Sequence, residues 1–216
     1  VQSYQSRSLT NLFFAMTDLK KNPFKKKEKN VSKLAVIGTG LMGSGIALVS
    51  LPLCDTVLLK DTSLDPVTRS MAQIRKSLEK RAQSGAIRNF DKEVMYGKLI
   101  PCDDYTYFKN TDLVIEAVFE DLKLKQDLLK EVEAVTGDST IFASNTSAIP
   151  ISLIAKASKR PQNMIGMHYF SPVPAMPLLE IIKTAKTADW VVATAAATGI
   201  AQGKSCIVVK DGPGFY

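Results

Sequence analysis

The sequence predicts an α/β fold built on a doubly wound, mostly parallel sheet, and three observations predict it. From Val31 onward, short apolar runs alternate with amphipathic helical stretches, the pattern of parallel strands joined by crossover helices. The first run, Lys33-Leu34-Ala35-Val36-Ile37, passes directly into Gly38, Gly40 and Gly43, spaced G-x-G-x-x-G, and then into an apolar helical pattern. Polar residues suited to binding or chemistry (Asp61, Glu120, Asn145, Ser147 and His168) fall at or just past predicted strand ends, where doubly wound sheets hold ligands.

The segment before this pattern is distinct. Leu9, Leu12, Phe13, Met16 and Leu19 recur at spacings of three and four, so residues 6–20 read as an amphipathic helix whose apolar face needs a partner. Asn22-Pro23 and a run of lysines end it. The net charge of +7 resides mostly here: residues 1–33 hold eight Lys or Arg against Asp18 and Glu28, leaving +1 for the remainder. The surplus therefore describes a basic arm and says little about the ligand of the body; such an arm suits RNA or an anionic membrane, but the simpler reading is a solvated linker over residues 1–30.

The body begins with strand 33–37, helix 41–50 and strand 56–60. In the turn, Gly38 allows a sharp exit from the strand, Gly40 removes the Cβ that would block a pyrophosphate, and Gly43 lets helix and strand pack closely. With the intervening Leu41 and Met42 these residues form a predicted dinucleotide site, the phosphates resting on unpaired helix N–H groups. Asp61 ends the second strand, 23 residues after Gly38, the distance at which an acid accepts hydrogen bonds from the adenine ribose. A carboxylate there repels a 2′-phosphate and favours NAD over NADP; Asp61 or Ser63 also reads as a cap of the next helix.

Residues 66–82 and 84–100 then read as a helical hairpin projecting from the sheet. Strand 113–118 follows, with Glu116 as its polar terminus, then a helix over 122–135. Glu120 with Lys123 or Lys125 reads as cleft lining or as a solvated helix pair. Strand 141–144 ends in Asn145-Thr146-Ser147, residues suited to holding a substrate oxygen or nicotinamide amide and equally to a turn and helix cap. A helix at 150–157, strand 164–168, strand 178–183, helix 187–201 and strand 205–209 complete the pattern.

No apolar run is long enough to cross a bilayer, and no signal peptide is evident. Cys54, Cys102 and Cys206 are few and far apart, which suits a reducing compartment and neither a disulfide framework nor a zinc site. With one histidine in the chain, no metal centre built on several imidazoles is expected. That histidine, His168, has the pKa range of a general base for alcohol oxidation, and Glu180, twelve residues on in the next strand, is placed to fix its tautomer. A satisfied structural histidine is the competing reading.

Five motifs in order then resemble the L-3-hydroxyacyl-CoA dehydrogenase family. They are Gly-Thr-Gly-Leu-Met-Gly-Ser-Gly-Ile-Ala, Val-Ile-Glu-Ala-Val-Phe-Glu-Asp-Leu-Lys-Leu-Lys, Ile-Phe-Ala-Ser-Asn-Thr-Ser, Gly-Met-His-Tyr-Phe-Ser-Pro-Val and Val-Lys-Asp-Gly-Pro-Gly-Phe. The likeness runs from Val31 to Tyr216 over a Rossmann-type NAD domain, and it is greatest to the subgroup of the mitochondrial trifunctional α subunit. In that subgroup a helix and Lys-rich linker like residues 6–33 join an enoyl-CoA hydratase (lyase) domain to the dehydrogenase. The resemblance implies NAD as cofactor and 3-hydroxyacyl-CoA as substrate in fatty-acid β-oxidation. It makes His168 the general base, Glu180 its partner and Ser147 a substrate contact, with Asp61, Glu120 and Lys125 lining the NAD site.

Ser171 stands where the stand-alone enzymes have Asn, as is common in the multifunctional ones. The resemblance further implies a homo- or hetero-oligomer with a thiolase subunit, a mitochondrial location, and peripheral membrane association of the whole complex. The family continues past Gly-Pro-Gly-Phe into an all-helical domain that closes the cleft, so these 216 residues are expected to bind NAD but turn over weakly or not at all. Competing readings are another hydroxy-acid dehydrogenase of the same architecture and a non-catalytic nucleotide-binding module.

Overall fold

The structure, a computed structural model, describes residues 3–18 and 27–214. Its strands are β1 (Lys33–Ile37), β2 (Thr56–Lys60), β3 (Leu99–Cys102), β4 (Leu113–Glu116), β5 (Ile141–Ser144), β6 (Met164–Tyr169), β7 (Leu178–Lys183) and β8 (Ser205–Lys210). The helices are α1 (Tyr4–Asp18), α2 (Leu41–Ser50), α3 (Leu64–Gln83), α4 (Asn89–Gly97), α5 (Leu122–Val135), α6 (Ile151–Ala155) and α7 (Asp189–Ala201).

The strands form one sheet in the order β3-β2-β1-β4-β5-β6-β7-β8. Every pair is parallel except β6 with β7. The predicted mostly parallel, doubly wound sheet is therefore present. Successive residues of β1 enter different cores: Leu34 and Val36 pack with Ile46 of α2 and Val67 of α3, while Ala35 and Ile37 pack with Leu128 and Leu129 of α5. Burial on both faces explains why these strands read as continuous apolar runs.

One expected element is corrected. Residues 84–100 do not form a single loose helix: α4 occupies Asn89–Gly97, and Leu99–Cys102 is a strand that pairs with β2 at the sheet edge. Pro101 lies inside this strand, where an edge position tolerates a residue with no N–H to donate. The α3–α4 hairpin itself is present. The strand at 113–118 also ends early, at Glu116, because the Glu116 carboxylate takes the Val118 N–H at 2.8 Å and turns the chain out of the sheet.

The amphipathic helix near the N-terminus forms over Tyr4–Asp18, with Leu9, Leu12 and Phe13 exposed. Residues 19–26, most of the lysine run, lie outside the described residues. The end of the arm is exposed, as a solvated linker would be, and touches the body at three points: Lys27 pairs with Asp189 at 2.6 Å, the Lys29 ammonium lies 3.9 Å from the Trp190 ring centre, and the Lys29 N–H donates to Thr194 Oγ1 at 3.0 Å. This strip of arm is fastened along the first turns of α7.

The glycine turn is the tightest point of the body. A Cβ on Gly43 would sit 1.8 Å from the Gly38 carbonyl oxygen, so helix and turn must separate to admit it. Gly43→Ala is expected to cost about 1–3 kcal/mol of stability, the range for overpacking a close contact. Urea unfolding measures it, and a midpoint equal to wild type would contradict the packing described.

Candidate active site

The cofactor half is built where β1 ends. Gly38, at φ +91°, donates its N–H to the Lys60 carbonyl at 2.8 Å, and Ala117 donates to the Ile37 carbonyl at 2.7 Å, so the turn is gripped by strands on both sides. The chain runs from β1 to β2 on one side and reaches β4 on the other, which makes this gap the switch point of the sheet. α2 starts at Leu41 with Gly40 as N-cap, no side chain caps it, and its first turn holds no acid. Its leading N–H groups and positive dipole end are thus available to an anion.

A Cβ on Gly40 would meet no atom within 4 Å, so the bare backbone opens onto a cleft of about 560 Å³. Gly38, Leu41, Met42, Asp61 and Phe119 are among the residues that line it. The volume suits a large cofactor, and the uncapped helix start and open glycine fit a pyrophosphate.

Asp61 is held within that cleft rather than on the next helix. Its Oδ2 accepts from the Thr39 N–H and hydroxyl at 2.8 and 2.7 Å, and its Oδ1 accepts from the Thr62 N–H at 2.8 Å. The N-cap position of α3 belongs to Ser63, which makes no side-chain cap bond, so the capping alternative does not describe Asp61. Partial burial pushes the Asp61 pKa up, but the bonds from Thr39 and Thr62 outweigh it and hold the carboxyl below its ordinary 3.8. The Thr62 hydroxyl adds a fourth and longer contact to Oδ1 at 3.5 Å, so of the carboxylate's about four acceptor positions this is the one most readily given up to a ribose hydroxyl.

With its folded pKa depressed, Asp61 contributes stability that is full above the unfolded value and lost as pH falls through the folded one. Asp61→Asn is expected to flatten the stability loss below pH 3.8 and to erase the preference for NAD over NADP. Acid titration followed by circular dichroism and calorimetry with both dinucleotides measure these. Equal affinity of wild type for the two would remove the ribose role.

Next to the turn, the ends of β4 and β5 are joined by a buried charged network. Glu116 is fully buried; its Oε1 accepts from Val118 N–H and from Lys125 Nζ at 2.7 Å, and its Oε2 accepts from Ser144 Oγ at 2.7 Å. Lys125, 1% exposed, also lies 3.3 Å from the half-exposed Glu120. Glu120 in turn accepts from the Thr146 hydroxyl and from the N–H groups of Ser147 and Ala148 at 3.1 and 3.2 Å. Partial burial alone would raise its pKa, but the Thr146 bond and Lys125 hold it below the ordinary carboxylate value.

Lys125 therefore sits beneath the cleft as the hub of two carboxylates and does not itself line the cleft surface. Lys123 is the solvated member, pairing with Asp127 at 2.7 Å. Glu120 shapes the loop that carries exposed Ser147. Asn145 ties that loop to β6, its Oδ1 accepting the Tyr169 N–H at 2.9 Å.

The other half of the candidate site lies on β6 and β7. His168 and Glu180 face each other directly across the antiparallel pair, and His168 Nδ1 lies 2.8 Å from Glu180 Oε2. Glu180 is nearly buried, His168 is 16% exposed, and the Phe170 ring lies 4.5 Å from the imidazole. A carboxylate can only accept in this contact, so a neutral imidazole facing one places its hydrogen on Nδ1 and its lone pair on Nε2.

The sequence-derived residues thus gather along the carboxyl edge of β1, β2, β4, β5 and β6. Glu116 was missed as a site residue; an acid closing the otherwise apolar run Leu113-Val114-Ile115, nine residues before a lysine on the next helix, was its signal. Among the described residues, no cluster of three His, Cys, Asp or Glu could hold a metal ion.

Comparison with known proteins adds the following. Residues 33–212 match the family model described as "3-hydroxyacyl-CoA dehydrogenase, NAD binding domain". The fatty acid oxidation complex subunit alpha of Shewanella baltica is 42% identical over 219 residues, and that of Vibrio vulnificus 42% over 218; each alignment covers 100% of this chain and 31% of the relative. The chain thus spans about a third of the length of the curated relatives it matches.

Among solved structures, 3-hydroxybutyryl-CoA dehydrogenase from Escherichia coli superposes with TM-score 0.83 at 35% identity, covering 86% of this chain and 39% of that one. The (S)-3-hydroxybutyryl-CoA dehydrogenase from Ralstonia eutropha gives 0.81 at 34% identity, covering 86% and 66%. The alpha subunits are bacterial and lend no support to a mitochondrial placing.

Proposed function

The chain belongs to the 3-hydroxyacyl-CoA dehydrogenase family and carries its NAD-binding domain; on that premise, we propose that the whole protein oxidises L-3-hydroxyacyl-CoA to 3-oxoacyl-CoA in fatty-acid β-oxidation. The observation that carries this reading is the 2.8 Å contact between His168 and Glu180 at the edge of the sheet that also bears the glycine turn. NAD bound at that turn supplies the hydride acceptor.

The chain's own residues divide the remaining work. The α2 N-terminus with Gly38, Gly40, Leu41, Met42 and Gly43 receives the diphosphate, and Asp61 the adenine ribose. His168 Nε2 takes the proton from the substrate hydroxyl as the carbonyl forms. Glu180 holds Nδ1–H and stabilises the imidazolium that results. Ser147, presented by the Glu120-anchored loop, contacts the substrate oxygen. Glu116 and Lys125 act beneath the surface by holding Val118 and Glu120 in place, and Asn145 keeps the Ser147 loop beside His168.

On this reading the protein is a hydratase–dehydrogenase: residues 1–30 lead from a hydratase domain, residues 31–216 are the NAD unit, and a helical domain completes the substrate cleft. Assembly as an oligomer with a thiolase subunit and peripheral membrane contact of the complex belong to the same proposal. Its support is the similarity to alpha subunits of fatty acid oxidation complexes.

Reduction of acetoacetyl-CoA with NADH, followed by NADH absorbance, tests the proposal. The complete enzyme should turn over, whereas these 216 residues should bind NAD and reduce the thioester weakly or not at all. Activity confined to free hydroxy acids would replace the CoA reading with another dehydrogenase of this architecture. Turnover by the 216 residues close to that of the complete enzyme would remove the need for the helical domain.

A further inference from the structure

Lys204 is a buried lysine that the chemistry above does not use. Gly203, at φ +79°, closes α7: Gly203 N–H bonds to the Ile200 carbonyl and Lys204 N–H to the Gly199 carbonyl, both at 2.9 Å. This paired arrangement fixes the direction in which Lys204 leaves the helix. The residue is 6% exposed, and its ammonium donates to the carbonyls of Val173 and, at 2.8 Å, Met176. Burial pulls its pKa below the ordinary lysine value. A buried ammonium with carbonyl acceptors alone is a poor stabiliser of a fold, so its position calls for an explanation beyond general packing.

Both carbonyls belong to residues 170–177, the connection between β6 and β7. Tight hairpin turns of two to five residues set the register of their strands; this connection is longer and does not do so by its own geometry. It contains one turn, in which Ala175 and Met176 N–H both reach the Pro172 carbonyl at 3.0 Å. That turn is held from outside at three points. Lys204 grips two carbonyls, Ser205 N–H bonds to the Pro177 carbonyl at 2.7 Å, and buried Val173 abuts Gly45 of α2, where a Cβ would sit 2.8 Å from Val173 Cβ. What the connection joins is His168 to Glu180, opposite each other near its two ends.

We propose that Lys204 is a positioning residue for the His168–Glu180 pair: by clamping the Val173 and Met176 carbonyls, it fixes the β6–β7 junction and with it which imidazole nitrogen carries the hydrogen. The inference deepens the reading of His168 as the base and rests on it for its catalytic meaning. The tautomer itself is observable without turnover, so the two can fail separately.

His168 is the sole histidine in the chain, so a two-bond ¹⁵N–¹H correlation spectrum of the imidazole has one source. At pH 9 the wild-type chain should show the Nδ1–H tautomer. Lys204→Met, which keeps the side-chain length and removes the ammonium, should give a mixture of tautomers while the Kd for NAD changes less than threefold. Thr198→Val, which removes a buried hydroxyl of α7 and leaves the clamp intact, should keep the wild-type spectrum.

Retention of the Nδ1–H tautomer in Lys204→Met overturns the proposal, as does a tautomer change in Thr198→Val equal to that in Lys204→Met. If circular dichroism shows Lys204→Met unfolded, Gly45→Ala decides, because it displaces Val173 and the clamped turn while leaving Lys204 in place. A mixed tautomer there supports the proposal, and the wild-type tautomer overturns it.

Discussion

In the complete enzyme, His168→Gln is expected to lower kcat by about 10³-fold, within the span general-base removal produces. The glutamine amide fills much the same space and can donate to Glu180, but it has no basic nitrogen to take the hydroxyl proton. The cofactor turn lies on β1 and α2, so the Kd for NAD should stay within twofold. Stopped-flow acetoacetyl-CoA reduction beside calorimetry with NAD separates the two quantities. Wild-type kcat in this variant would remove His168 from the chemistry. A parallel loss of NAD affinity would instead mean that the substitution had disturbed the sheet edge.

The largest loss of stability is expected at Lys125. Lys125→Met leaves the fully buried Glu116 carboxylate without its 2.7 Å cation, and breaking a buried ion pair on one side costs about 3–5 kcal/mol. Adding Glu116→Leu should recover part of this, because two apolar residues of similar size leave no charge uncompensated. Recovery should be incomplete, since the Val118 N–H and the Ser144 hydroxyl lose the acceptor they shared. Urea unfolding of the two single variants and the double variant closes the cycle. A double variant no more stable than Lys125→Met would show that Glu116 acts through its hydrogen bonds and not through its charge.

The strands buried on both faces were legible as unbroken apolar runs, and the glycine turn as a spacing. His168 and Glu180 were legible because they sit at facing register positions of β6 and β7, and Asp61 because it directly follows the last residue of β2. β3 was hidden because an edge strand with Pro101 carries half the signal of a central one. Lys125 was assigned to the cleft wall because spacing along α5 says nothing about depth. Its burial follows from Glu116 below it, a tertiary pairing with no sequence period. The same holds for Lys204, whose partners are backbone carbonyls and so carry no residue identity to read. The contacts of the exposed arm were hidden for another reason: Lys27 and Lys29 carry no sign in the sequence of Asp189 and Trp190, which the fold brings beside them from the far end of the chain.

The one antiparallel pairing in the sheet has a kinetic meaning. His168 and Glu180 meet across a chain separation of twelve residues, whereas Leu34 and Leu113, which bring β1 beside β4 at the glycine turn, are separated by 79. Loop-closure entropy grows with the logarithm of that separation, a difference of about 2 kcal/mol against the longer closure. Through the local β6–β7 connection the His168–Glu180 pair has the shorter search, and the dinucleotide cleft awaits contacts that span more than a third of the chain.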